Sequence, residues 1–281
     1  MMILVDVFEQ TMLMLPMIFG IYLSYRILKI TELSVEASFV LGACVFAKSS
    51  QVQPLIIAVM LALLSGALVG SIVYFVHKKL EIPVLISGIL IIFMFQSVNY
   101  VVMAQPNIQI IRTMDNNYIF RIYLLCNVMI CMLTYFFLRS QYGLRLRSVG
   151  INNQLASKLG ISAKLYYWLT VGVSNMLAAI SGVTHAYYGG FADLHMGVGI
   201  SLIGIAAIMI GISLLKLDQV NTFNLNKEIS AIFAGVLLYS LVISMLLHFG
   251  CDPIYLKFVL GLIVFVALFS AGKTYQEVPD A

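Results

Sequence analysis

Few side chains in this 281-residue chain can do chemistry, and most of them lie inside long apolar runs. Glu36 and Ser38 share one such run, Gln96 and Asn99 another, and Asn175, Ser181 and His185 a third, while His248 closes a fourth. No serine elbow, zinc-spaced histidines or paired carboxylates assemble from them, so no catalytic site is expected. Gly272-Lys-Thr imitates the end of a phosphate-binding loop, but the glycine required five residues earlier is Ala267 and the preceding segment reads as a membrane span. What isolated polar groups in apolar helices can do is bind, because they face a bundle interior or a wet cavity. Glu36, Ser38, Asn99, Asn175 and Ser181 are therefore the candidates for a solute pathway. Asn175 has a competing role as an interhelical hydrogen bond beside the small-residue stripe Ser174, Ala178 and Gly182.

Those residues need helices embedded in lipid to position them. Hydrophobic residues make up 62% of the chain, charged residues 10%, and the mean hydropathy is +1.01. Soluble proteins run closer to half apolar and about a quarter charged. The expectation is an all-α polytopic membrane protein with a single transmembrane domain over residues 1–281. The net charge of +4 carries no nucleic-acid message, since the cations lie at span ends. The cysteines Cys44, Cys126, Cys131 and Cys251 have neither metal nor redox spacing. The amino terminus lacks the basic start of a signal peptide, so the first span is expected to stay attached.

A helix needs roughly 20 apolar residues to cross about 30 Å of hydrocarbon. On that scale nine spans are read: Thr11–Leu28, Ser34–Phe46, Pro54–Val76, Ile82–Ala104, Ile122–Leu138, Tyr166–Tyr188, Met196–Leu215, Ile229–Phe249 and Tyr255–Ala271. Twelve of the sixteen Lys and Arg residues then fall on one side, which places the amino terminus outside and the carboxyl terminus inside. The second span is too short. Thirteen residues reach about 20 Å, so Thr31-Glu-Leu-Ser must enter the membrane as non-helical chain. Irregular backbone at that depth is tolerated only where protein or a cavity surrounds it, and discontinuous helices often mark transporter binding sites. Glu36, near the start of this helix, suits either a cavity or a first-turn acid at the cytoplasmic interface. On the other side, Gln105–Arg121 forms the one substantial outer loop, with room for a short amphipathic helix.

The longest charged interruption runs from Arg139 to Lys164, with five cations and no acid, and is assigned to the cytoplasm. Within it Asn152 or Asn153 can cap a short helix bearing Leu155, Ala156 and Leu159, which Gly160 can close in the left-handed conformation. Two turns are not stable alone in water, so the segment needs something to pack on. A solvated basic loop accounts for the charge but not for the capped apolar turn.

Gly143-Leu-Arg-Leu-Arg-Ser-Val-Gly150-Ile-Asn152, with Ala156 and Gly160-Ile161, resembles the cytoplasmic signature of ABC importer permeases of the branched-chain amino acid type. Glu32–Gly42, Ser174–Gly182 and Gly190–Gly199 extend the resemblance over most of the chain, towards the tryptophan/tyrosine or uncharacterised-substrate subgroup. The chain departs from that pattern at Ala37, where glycine is usual, and at Ile212, where an acid is common. The resemblance implies that residues 139–165 are a coupling loop docking on a separate ATPase, through Gly150, Asn152, Leu155, Ala156, Leu159 and Gly160. It also implies a second permease copy, a periplasmic or lipid-anchored substrate-binding protein, and residence in the bacterial cytoplasmic membrane. It implies no cofactor of its own, ATP being bound by the partner, and ATP-driven alternating access for a small polar solute such as an amino acid. An ion-coupled secondary transporter is the alternative, with Glu36 as its one strong intramembrane acid.

Overall fold

Glycine and alanine decide where these helices touch, since small residues let backbones approach where lipid gives no hydrophobic drive. The computed structural model describes residues 2–111, 116–215, 217, 224–250, 258, 261, 262 and 265. Its elements are α1 (Met2–Ile21), a π-helical turn (Tyr22–Ile27), α2 (Val35–Ser49), α3 (Leu55–Leu80), α4 (Val84–Met103), β1 (Asn107–Gln109), α5 (Asn116–Arg139), α6 (Gln141–Ile151), α7 (Asn153–Lys158), α8 (Ala163–Gly189), β2 (Phe191–Asp193), α9 (Ile200–Leu214) and α10 (Leu225–His248).

Among the described residues, five helices are long and apolar enough to cross a membrane: Val5–Ile27, Leu55–Leu80, Val84–Met103, Phe120–Arg139 and Leu225–His248. The other expected spans differ for separate reasons. Helices α2 and α9 have only 15 residues each. Helix α8 has 27 and is long enough, but carries Ser174, Asn175, Ser181 and His185 along its length. The expected ninth span lies outside the described residues except at four isolated positions, as do Arg112, Asp115, Cys251, Lys257 and Gly272-Lys-Thr.

The chain divides into two units, Met12–Leu202 and Met1–Thr11 with Ile203–Ala281. In the first, α8 is the axis. Helix α2 runs parallel to it: Ser38 bonds Asn175 near the start, and Phe46 meets Tyr187 edge-on at 5.9 Å near the end. Helices α1 and α3 run antiparallel, with Leu13 beside Ser181, Gly20 against Ser174, and Gly66 against Asn175. The closest approach along α8 is at Gly182, where a β-carbon would lie 2.0 Å from the Phe39 carbonyl oxygen. Ala37, Leu41, Val69, Val73, Ile91, Phe95 and Val171 form the apolar core between α2, α3, α4 and α8. In the second unit α9 and α10 cross glycine to glycine: β-carbons at Gly211 and Gly235 would meet the Ala231 and Ala207 carbonyls at 1.9 and 2.0 Å.

The loop after α4, read as having room for a short helix, begins with a strand. Asn107–Gln109 pairs antiparallel with Phe191–Asp193, and Ile110 N–H donates to the Gly190 carbonyl at 2.8 Å. Ile108, Ile110 and Ile111, following Pro106, favour extended chain over one helical turn, and Phe191-Ala-Asp supplies the partner edge.

Candidate functional site

The chain breaks between the π-helical turn and α2, and the break is anchored to the middle of α8. Ser24 Oγ donates to the Ile21 carbonyl at 3.1 Å, and Ile30 N–H reaches back to the Ser24 carbonyl at 2.9 Å. Lys29 takes a left-handed φ of 57°, which ends any helical continuation. Residues 28–34 are non-helical, as the short span required. Helix α2 therefore begins beside Asn175, near the midpoint of α8, rather than beside either end of it.

Four side chains hold that start. Asn175 Nδ2 donates to Glu32 Oε1 at 2.5 Å and to its own helix at the Val171 carbonyl, 2.9 Å away. Asn175 Oδ1 accepts from Ser38 Oγ at 2.5 Å and from Ser34 Oγ at 3.2 Å. Ser34 Oγ also meets Glu32 Oε1. All four residues are buried, Glu32 with 1% of its surface exposed. Of the Glu32 carboxylate only Oε1 has partners; Oε2 is buried without one.

The other expected pathway residues are distributed elsewhere. The Glu36 carboxylate accepts from Ser201 Oγ at 2.6 Å and Ser201 N–H at 3.4 Å, tying α2 to the first turn of α9. A carboxylate suits the positive end of that helix. Glu36 is thus a first-turn acid, though its turn lies beside the centre of α8. Ser181 Oγ donates to the Leu13 carbonyl at 2.5 Å and joins α8 to α1. Asn99, on α4, is 3% exposed and its Oδ1 has no partner. Of the five, the structure brings together only Ser38 and Asn175. Glu32 was missed as a site residue: the sequence placed Thr31-Glu-Leu-Ser inside the membrane as non-helical chain, but Glu36, the acid within the helix itself, was the one singled out.

The basic segment is more ordered than a loop. Helix α6 was not expected there. Ser140 Oγ caps it, accepting from Gly143 N–H at 3.4 Å, and Arg147 Nη2 donates to the Leu138 carbonyl at 3.1 Å. Gly143, Leu146, Val149 and Gly150 had the helical spacing that marks the buried face. Gly150 sits against the Ile27 carbonyl, where a β-carbon would be 2.0 Å away, so α6 lies directly under the π-helical turn. Asn152 then caps α7, its Oδ1 accepting from Leu155 N–H at 2.9 Å, and Gly160 closes it at φ +75°. Only Ala156 of this helix is buried; Leu155 and Leu159 are 57% and 68% exposed. Beside α7 a hollow of about 450 Å³ is lined by Lys78, Asn153, Ser157, Gly160, Lys164 and Tyr167 among others.

Residues 3–268 match the family model described as branched-chain amino acid transport system / permease component. The chain belongs to that permease family. An uncharacterised protein of Rickettsia prowazekii is 43% identical to this permease, with 96% of this chain and 98% of the other covered. The tyrosine transport system permease protein of Clostridioides difficile is 32% identical, over 96% and 91% respectively. A nucleoside ABC transporter permease protein of Lactococcus lactis matches at 36% over a shorter stretch, 27% of this chain and 25% of the other. No solved structure matches it. As a family, these are membrane permease subunits of ABC-type transport systems and not enzymes; the ATPase lies in a separate subunit. That membership implies an ATPase and a substrate-binding protein as partners.

Proposed function

We propose that this permease imports a small polar solute, an amino acid or a close relative, by ATP-driven alternating access across the bacterial cytoplasmic membrane. The tyrosine permease among its relatives supports the solute class. Two copies form the pathway, with nine spans each, an outside amino terminus and residues 139–165 facing the ATPase. Helix α7 is the coupling helix, and Gly150, Asn152, Ala156 and Gly160 give it its shape and seat it. Glu36, Ser38, Asn99, Asn175 and Ser181 line or brace the pathway around the broken span.

The observation carrying this reading is the state of Leu155 and Leu159. They lie four residues apart on a capped helix and are exposed, while the rest of the polar segment is anchored by α6. Burying each leucine in a partner groove contributes on the order of 1.5–3 kcal/mol. Leu155→Asp with Leu159→Asp is expected to leave the permease monodisperse on size exclusion yet abolish co-purification with the ATPase. Lys158→Ala, which removes a neighbouring charge, should leave the complex intact. A double variant that still retains the ATPase contradicts the coupling role.

A further inference from the structure

Glu32 is a carboxylate that the fold has buried and only half satisfied. Its Oε1 is held by Asn175 and Ser34, its Oε2 faces no hydrogen-bond partner, and no cation pairs with it among the described residues. A bare carboxylate in such surroundings is costly unless a positive group completes it. The cluster lies where α2 begins beside the centre of α8, so the first N–H groups of α2 and the acid share one point in the molecule. The hydroxyl of Tyr167, two turns earlier on α8 and within electrostatic reach of Glu32, is also buried without a partner. On the α4 side the interrupted chain is covered by Gly88, whose β-carbon would lie 3.1 Å from the Leu33 and Ser34 nitrogens. With no side chain there, α4 packs directly against the backbone of the break.

Resting on the permease reading above, we infer that Glu32 Oε2 is the site for the ammonium group of the transported solute. Asn175 and Ser34 hold the carboxylate by its other oxygen and so aim it, while Ser38 fixes Asn175. The solute class is a primary amine, and an α-amino acid satisfies it.

The test uses the whole transporter in proteoliposomes with ATP, and a mixture of radiolabelled proteinogenic amino acids as probe. Glu32→Gln is expected to lower uptake about 10–100-fold, as the loss of one charge-assisted contact, with assembly and basal ATP hydrolysis unchanged. A second readout separates binding from a purely structural role. Dicyclohexylcarbodiimide attacks buried carboxyl groups, and its adduct on Glu32 is followed by mass spectrometry in the wild-type permease–ATPase complex. The free amino acids are expected to protect Glu32, whereas their N-acetyl derivatives, which cannot form an ammonium, are not. Equal labelling with and without amino acids, equal protection by the N-acetyl forms, or wild-type uptake by Glu32→Gln each overturns the assignment while leaving the permease standing. A wild-type transporter with no ATP-dependent uptake of any amino acid overturns the amino acid import proposed above, and this inference with it.

Discussion

Asn175 uses its whole side chain: two acceptors for Nδ2 and two hydroxyl donors for Oδ1, all inside the protein. Removing it strands Glu32, and an unsatisfied buried polar group costs about 1–3 kcal/mol, more when charged. A graded series is therefore expected in thermal unfolding of the solubilised permease. Ser38→Ala removes one hydroxyl contact and loses least. Asn175→Ala loses more, and Asn175→Asp loses most, because it sets a second carboxylate against Glu32. A series in which Ser38→Ala is the most damaging contradicts the bonding described. Asn175 stood out in the sequence as a polar residue beside a small-residue stripe, and interhelical bonding is what it does. Glu32 was carried inward by the short span, but its partners could not be read, since Asn175 lies more than 140 residues later in the chain.

Among the elements, what local chemistry determines was readable and what distant partners determine was not. The cap at Asn152, the left-handed closure at Gly160 and the break before α2 each follow from a few adjacent residues. Helix α6 was hidden because its arginines dominate the reading of a segment whose apolar face is only four small or branched positions. Strand β1 depends on β2, more than eighty residues later in the chain, so no local signal could establish it. Close packing along α8 makes a sharper test. A β-carbon at Gly182 would strike the Phe39 backbone at 2.0 Å, whereas one at Gly172 has open space within 4 Å. Overpacking costs typically about 1–3 kcal/mol. Gly182→Ala is expected to lower the unfolding midpoint by several degrees and Gly172→Ala to leave it unchanged. Equal effects would mean that α2 and α8 do not cross there.

At the scale of the whole molecule, the proposed sidedness rests on the cations: with twelve of sixteen on one side, the basic segment is expected to face the cytoplasm and the β1–β2 ribbon the exterior. Single cysteines at Asn153 and at Asp193, in a cysteine-free background, should react with an impermeant thiol reagent from opposite sides. Labelling of Asn153 from outside intact cells would invert the arrangement and remove the ATPase from reach of α7. The central claim is that an ATPase drives this permease, and uptake of radiolabelled amino acids into proteoliposomes tests it most directly. The account predicts uptake that requires both the ATPase subunit and ATP, and that persists when ionophores collapse every ion gradient. Uptake by the permease alone, driven by an ion gradient without ATP, would contradict it and establish a secondary transporter instead.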